Sequence, residues 1–289
     1  MAALRSWLFN PMPVGRVVVF RTIVYLFIFV DVFLTTRWVA RHGLVPGELY
    51  QPLFVPRLLN LPTPTPAFVT SVQVTLLLAA AAALVPRWTR VAGTFVFVLY
   101  LEWMFIAMSY GKVDHDRVAF LVALAVLPTV MAARWGDKEE RQDATWAIRF
   151  IQIAVVLTYF LAAFAKLRFG GIEWVNGATL MRAVLRRGTI LVDPLTVENP
   201  WMLHAFQYFI VAFELFSPLM LFRNKLGRAY VYAAFAFHAV TYASITIIFL
   251  PHVVCLLTFL PLERIRRPAW VPARRLHREV PGRLKGAEG

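Results

Sequence analysis

The sequence is poor in charge and nearly free of cysteine. Only 16% of its 289 residues are charged, where soluble domains carry roughly a quarter. Its one cysteine, Cys255, excludes a disulfide framework and any cysteine-rich metal site. Placed in an apolar run, Cys255 reads as a small buried residue. No two histidines or carboxylates have ligand-type spacing, and the adjacent residues Asp114, His115 and Asp116 cannot converge on one ion, so no metal is expected. Internal repeats and domain boundaries are lacking too. We expect one domain over residues 1–262 and a basic tail over 263–289. The first sixteen residues hold two arginines, two prolines and a glycine, so a secretory signal peptide is not expected.

What the chain has in abundance is hydrophobic surface. Sixty per cent of its residues are hydrophobic, and they fall into runs long enough to span a bilayer, which takes about 20 apolar residues. Candidate spans cover 17–36, 67–85, 91–110, 117–134, 145–166, 203–222, 228–244 and 246–261. Pro251 argues for a break within 228–261. The expected fold class is all-α, a polytopic membrane helix bundle of about eight (seven to nine) transmembrane helices.

Net charge is +14. The basic residues lie in short segments between apolar runs rather than on one basic face, which excludes nucleic acid as a partner and fits the membrane pattern. Their larger share falls on the N-terminal side of the first span, in alternate loops and in the tail. The expectation is a multi-pass cell-membrane protein with both termini cytoplasmic and the tail facing anionic lipids. The segments 37–66 and 167–202 then form two long external loops, and long loops are more often functional than decorative.

Ionisable groups inside a membrane are expensive and tend to face a bundle interior or cavity. Arg21, Asp31, Glu102, Gln152, Lys166, Gln207, Glu214 and His238 fall within the spans, and His115 opens the fourth. Gln152, Tyr159 and Lys166 are seven apart and share a helix stripe, as do Gln207 and Glu214. His238, Tyr242 and Thr246 follow at intervals of four. Asp31 lies at the depth of Lys166 and His115 and is the expected counter-charge for them. About 15 Å of helix separates it from Arg21, so those two cannot pair. Plainer readings stay open: Lys166 snorkelling to headgroups, His238 as a satisfied core histidine, Glu102 and Glu214 as protonated packing groups.

Four stretches resemble a known family. They are FRTIVYLFIFVD (20–31), KVDHDRVAFLVALAVL (112–127), YFLAAFAKLRFGGIEWVNGATL (159–180), and the pair FELFSPLMLF (213–222) with FHAVTYASITIIFLPHVVCLLTFLP (237–261). Together they resemble the membrane domain shared by vitamin K-dependent gamma-carboxylase and its bacterial relatives, the HTTM domain, over nearly the whole chain. The most specific part is the aromatic, Ala/Gly, Lys-Leu, Trp and Gly pattern around Lys166.

The resemblance implies that Lys166 is the base toward a vitamin K hydroquinone or menaquinol, with His115 and His238 as supporting catalytic groups. Tyr159, Trp174, Asp31 and Tyr242 would line or balance the quinol pocket, and O2 would be the oxidant. A desolvated amine can take a phenolic proton, and a water-poor pocket protects a reactive oxygenated species. The chain departs from the family at Val113 and Asp114, where the carboxylases have two amides, and at Ala165, where they have a lysine. The carboxylases also carry a large extramembrane region that holds the protein substrate, whereas this chain runs about 28 residues past its last span. The expected chemistry is therefore oxidation or epoxidation of a lipid quinol, with CO2 a substrate only if carboxylation is retained. A protein substrate or redox partner is left unassigned. The alternative is a protein that binds or transports a quinone or lipid without chemistry, or a membrane subunit.

Overall fold

A computed structural model describes residues 2–192 and 198–266 of the chain. The fold is all-α. Its helices in chain order are α1 (Ala2–Phe9), α2 (Gly15–Val30), α3 (Phe54–Leu58), α4 (Pro66–Ala83), α5 (Thr89–Met108), α6 (Val118–Val126), α7 (Gln142–Gly170), α8 (Ala178–Arg187), α9 (Trp201–Leu215), α10 (Lys225–Ile245) and α11 (Leu250–Leu256). Among the described residues the one strand pairing is two residues long, Met12 and Pro13 against Arg141 and Glu140. It ties the start of α2 to the start of α7.

Among the described residues, four helices are long and apolar enough to cross a membrane: Gly15–Thr35, Pro66–Ala83, Thr89–Met108 and Gln142–Gly170. The first includes Asp31–Thr35, a wider turn in which Thr36 N–H reaches the Asp31 carbonyl at 2.7 Å, five residues back. Large apolar side chains such as Leu78, Phe95, Phe150 and Phe164 stay exposed on these helices. That is a liability in water and the natural arrangement against lipid.

Local chemistry explains where the helices start and stop. Thr65 caps α4, its hydroxyl accepting from Phe68 N–H at 3.2 Å, and Pro66 takes the first helical position. Asn224 caps α10 through Gly227 N–H. At its far end α7 runs into Gly171, whose φ of 61° suits glycine and turns the chain into a 3-10 turn over Ile172–Val175. Within 228–261 the helix stops at Thr246, in the left-handed region at φ 53°, and α11 restarts with Pro251 in its first turn.

The segments expected as external loops contain structure of their own: 3-10 turns and α3 in 37–66, the Ile172–Val175 turn and α8 in 167–202. The span expected over 117–134 is a nine-residue helix extended by a 3-10 turn to Thr129. The basic tail beyond residue 266, and with it the anionic-lipid contact expected there, lies outside the described residues.

The interior is packed by Phe20, Tyr25, Ile28, Leu76, Tyr100, Trp103, Phe120 and Ile148. Alanines on α4 and α7 let neighbouring helices approach closely, the usual way helices associate in lipid.

Candidate functional site

The 29-residue helix α7 sets out the site. Its Tyr159 and Lys166 lie seven residues apart on one stripe, and α9 presents Gln207 and Glu214 at the same interval. α10 contributes His238, α11 contributes His252, and the turn His115–Arg117 before α6 contributes His115 and Asp116. All of these line one cavity of about 810 Å³, along with Trp174 and a mostly apolar wall that includes Phe206, Phe237 and Phe249.

Lys166 is ion-paired. Its Nζ lies 2.7 Å from Oε1 and 2.5 Å from Oε2 of Glu214. Side-chain exposures are 20% for Lys166 and 10% for Glu214, so the pair is partly desolvated. The same ammonium sits 5.2 Å from the centre of the Trp174 ring. Gln207 Nε2 donates to the Trp174 carbonyl at 2.6 Å and fixes that residue over the lysine. Gly170 leaves the room this needs, since a Cβ there would stand 3.0 Å from Trp174 Cβ and Cδ1.

Deeper in, Tyr159 Oη and His238 Nε2 are 2.5 Å apart. The Tyr159 ring meets His252 edge to face at 4.5 Å, and the two imidazoles lie 5.5 Å apart. Four polar atoms in this wall are buried without a partner among the described residues: Gln207 Oε1, His238 Nδ1, and both ring nitrogens of His252. Leaving a buried polar group unpaired costs about 1–3 kcal/mol each. The residues that carry these four atoms line the cavity, but the atoms themselves are covered, so a ligand oxygen reaches them only after a side chain turns. His115 lines the cavity and is exposed, while its neighbour Asp116 is buried. Burial pushes the Asp116 carboxyl up from its ordinary range, and the Arg117 charge opposes this.

Lys166, His115, His238, Tyr159 and Trp174 all line this cavity. Asp31 does not join them. It is fully buried elsewhere, with Arg117 Nη1 at 2.8 and 2.9 Å from its two oxygens and Tyr100 Oη at 2.9 Å. Thr35 and Thr36 complete its shell, and Trp103 Nε1 donates to Thr36 Oγ1 at 3.0 Å. The counter-charge of Lys166 is therefore Glu214. The Asp31 side chain instead meets a guanidinium that bonds both oxygens, two residues from His115. Through Arg117, Asp31 holds the turn that carries His115 and Asp116.

Tyr242 is the second correction. It is 53% exposed and does not line the cavity. The lining face of α10 is centred on Phe237 and Thr241, with His238 at its edge. A step of four residues turns about 40° further, which carries Tyr242 off that face. Sequence reasoning left His252 unassigned. Pro251 drew attention as a helix breaker, and the residue after a break that re-enters an apolar run was the available signal.

No family model, curated protein or solved structure matches the chain. What the site does has to be read from its own residues. Among those described, no group of three or more His, Cys, Asp or Glu side chains is placed to hold a metal ion.

Proposed function

We propose that this chain is a multi-pass membrane protein that binds the head group of a lipid quinol, of the menaquinol or vitamin K hydroquinone type, and removes a phenolic proton at the Lys166–Glu214 pair. The observation that carries this is the pair itself, set in a largely apolar cavity that Gln207, His238 and His252 also line. At about 810 Å³ the cavity falls in the ordinary range for small-molecule sites, roughly 300–1,000 Å³. A quinol is flat and apolar with an oxygen at each end. One oxygen would meet Lys166, and the other would meet His238 or His252.

The pair holds the same number of protons as ammonium and carboxylate or as amine and carboxylic acid. In the second form Lys166 presents a free amine. Taking the phenolic proton leaves an ammonium facing the new negative oxygen, with Glu214 neutral behind it, so no uncompensated charge is left in the pocket. Oxidation of the quinol passes two electrons and two protons to O2; epoxidation places one oxygen atom on the ring and releases the other as water. The Trp174 side chain lies over Lys166 and narrows the access of water to the amine.

In this reading α6, α9, α10 and α11 join the four long helices to make eight crossings, both termini lie on the cytoplasmic side, and the cavity opens outward. The resemblance of 159–180 to the HTTM signature supports quinol as the substrate class. Oxygen uptake with menaquinol by the purified chain in detergent tests it, wild type beside Lys166→Met. Uptake by the wild type alone supports the proposal.

One observation favours a second reading. Lys166 already has a carboxylate at hydrogen-bond distance from both oxygens, which satisfies it without chemistry. The cavity would then hold a quinone or lipid without turning it over, and saturable binding without oxygen uptake would decide for that.

A further inference from the structure

Two helices that wall the cavity, α9 and α10, are tied together at both ends. The end of α9 meets the start of α10: the Phe213 ring stacks on Tyr230 at 5.1 Å and on Phe237 at 4.8 Å, and Tyr230 Oη donates to the Phe213 carbonyl. At the other end α8 crosses from one helix to the other. Its start lies against α9, where a Cβ on Gly177 would stand 2.8 Å from His204 Cδ2. Just past its last turn Thr189 holds α10, donating from N–H to the Ser244 carbonyl at 3.0 Å and from Oγ1 to the Ala243 carbonyl at 2.7 Å. Beneath α8, Val184 packs with Leu203 of α9 and Ile245 of α10. Helical spacing puts Leu180 and Val184 opposite Arg182 and Arg186, which are exposed. So α8 has an apolar underside toward the cavity and a basic top.

Between these two ties the cavity wall runs out onto the surface. Phe206 and Phe209 of α9 and Val240 of α10 line the cavity, yet they are 43%, 57% and 62% exposed. Ala205, Ala233 and Ala236 line it too and are also exposed. None of these side chains carries a charge or a hydrogen-bonding group, and the alanines leave width between the helices. An edge of hydrocarbon alone gives a charged or hydrated ligand no partner. It suits a chain that comes from lipid. We propose that the gap between α9 and α10 is a side port, separate from the outward opening, and that it seats the polyprenyl chain of the quinol whose head group lies at Lys166. This rests on the quinol reading and adds to it. The substrate keeps its chain toward the bilayer while its ring is bound, so chain-bearing quinols are selected over chainless ones at Phe206, Phe209 and Val240.

The test uses the full chain in one uncharged detergent, with binding read from the rise in Tm. Menadione supplies the ring without a chain, geranylgeraniol the chain without a ring, and a menaquinone with a geranylgeranyl chain supplies both. Ala205→Trp and Val240→Trp narrow the port from either side, at exposed positions. Wild type should bind the menaquinone more tightly than menadione. Each variant should bind the menaquinone and geranylgeraniol about tenfold more weakly than wild type does, and menadione equally well. Menaquinone no tighter than menadione in wild type, or chain-bearing ligands held undiminished by a folded variant, overturns the port and leaves the quinol reading standing. Menadione weakened as much as the menaquinone overturns the port as well, since the head-group site is then what the substitutions disturb. Geranylgeraniol bound through the port as tightly as the menaquinone, with menadione not bound, supports the port and counts against the quinol reading.

Discussion

Lys166 Nζ stands 2.5 Å from Glu214 Oε2 across the space between α7 and α9, with the two residues 48 apart in sequence. The pair joins a helix that crosses the whole bundle to one that ends near the cavity. Removing one partner leaves the other partly desolvated and alone. Glu214→Gln should therefore lower stability by about 1–3 kcal/mol, and so should Lys166→Met. The double variant should cost less than the sum, with a coupling of about 0.5–3 kcal/mol. Thermal melts of the four proteins in one detergent measure this, and strict additivity would mean that the two groups do not pair.

Asp31 and Arg117 form the more deeply buried pair, with exposures of 0% and 7% for their side chains. Asp31→Asn leaves a guanidinium uncompensated in the interior and should cost about 3–5 kcal/mol. Tyr242→Ala, on an exposed face of α10, should stay within about 0.5 kcal/mol. A cavity role for Tyr242 would show as lost quinone affinity in that variant, which should keep wild-type affinity.

His252 should trade stability for binding. Both its ring nitrogens are buried without partners, so His252→Leu removes an unpaired polar group from an apolar wall. The ligand-free protein should melt higher, while affinity for a soluble menaquinone analogue falls about tenfold. Isothermal titration beside a melt separates the two effects. A His252 that is only core would change stability and leave affinity alone.

Asp116 gives a pH dependence. Burial raises its carboxyl from the ordinary value, despite the neighbouring Arg117 charge. A carboxyl raised on folding contributes stability below its unfolded range, and that contribution is lost as pH rises through its folded value. Wild type should carry this cost at pH 7 and Asp116→Asn should not. The variant should melt higher at pH 7, with the gap closing as pH falls toward the ordinary aspartate range near 3.8. A gap independent of pH would mean that Asp116 stays ionised without penalty.

Much of this fold can be read from the chain because hydrophobic runs, caps and breakers are local. Thr65-Pro66, Asn224, Gly170-Gly171 and Pro251 all mark helix ends where the chain makes them. The stripe Tyr159–Lys166 is likewise local, and it reaches the cavity. Partner choice is not local. Asp31 is expected at the depth of Lys166, yet its side chain meets Arg117, and no spacing along one helix reveals which neighbour it will face. Gln207 and Glu214 stand out by their seven-residue interval, but that α9 lies against α7 is a tertiary fact. His238 and Tyr242 fail as a pair because a step of four drifts off a face whose edge is already reached.

The proton-accepting role proposed for Lys166 is tested most directly by chemical rescue. Oxygen-coupled consumption of menaquinol is measured for wild type and for Lys166→Ala, the latter with and without methylamine. Loss of the base should slow turnover by about 100-fold or more, and methylamine, entering the space left by the side chain, should restore part of it in proportion to its free-base concentration. Turnover undiminished in Lys166→Ala, or absent from the wild type with every quinol tried, would contradict the role assigned to this lysine.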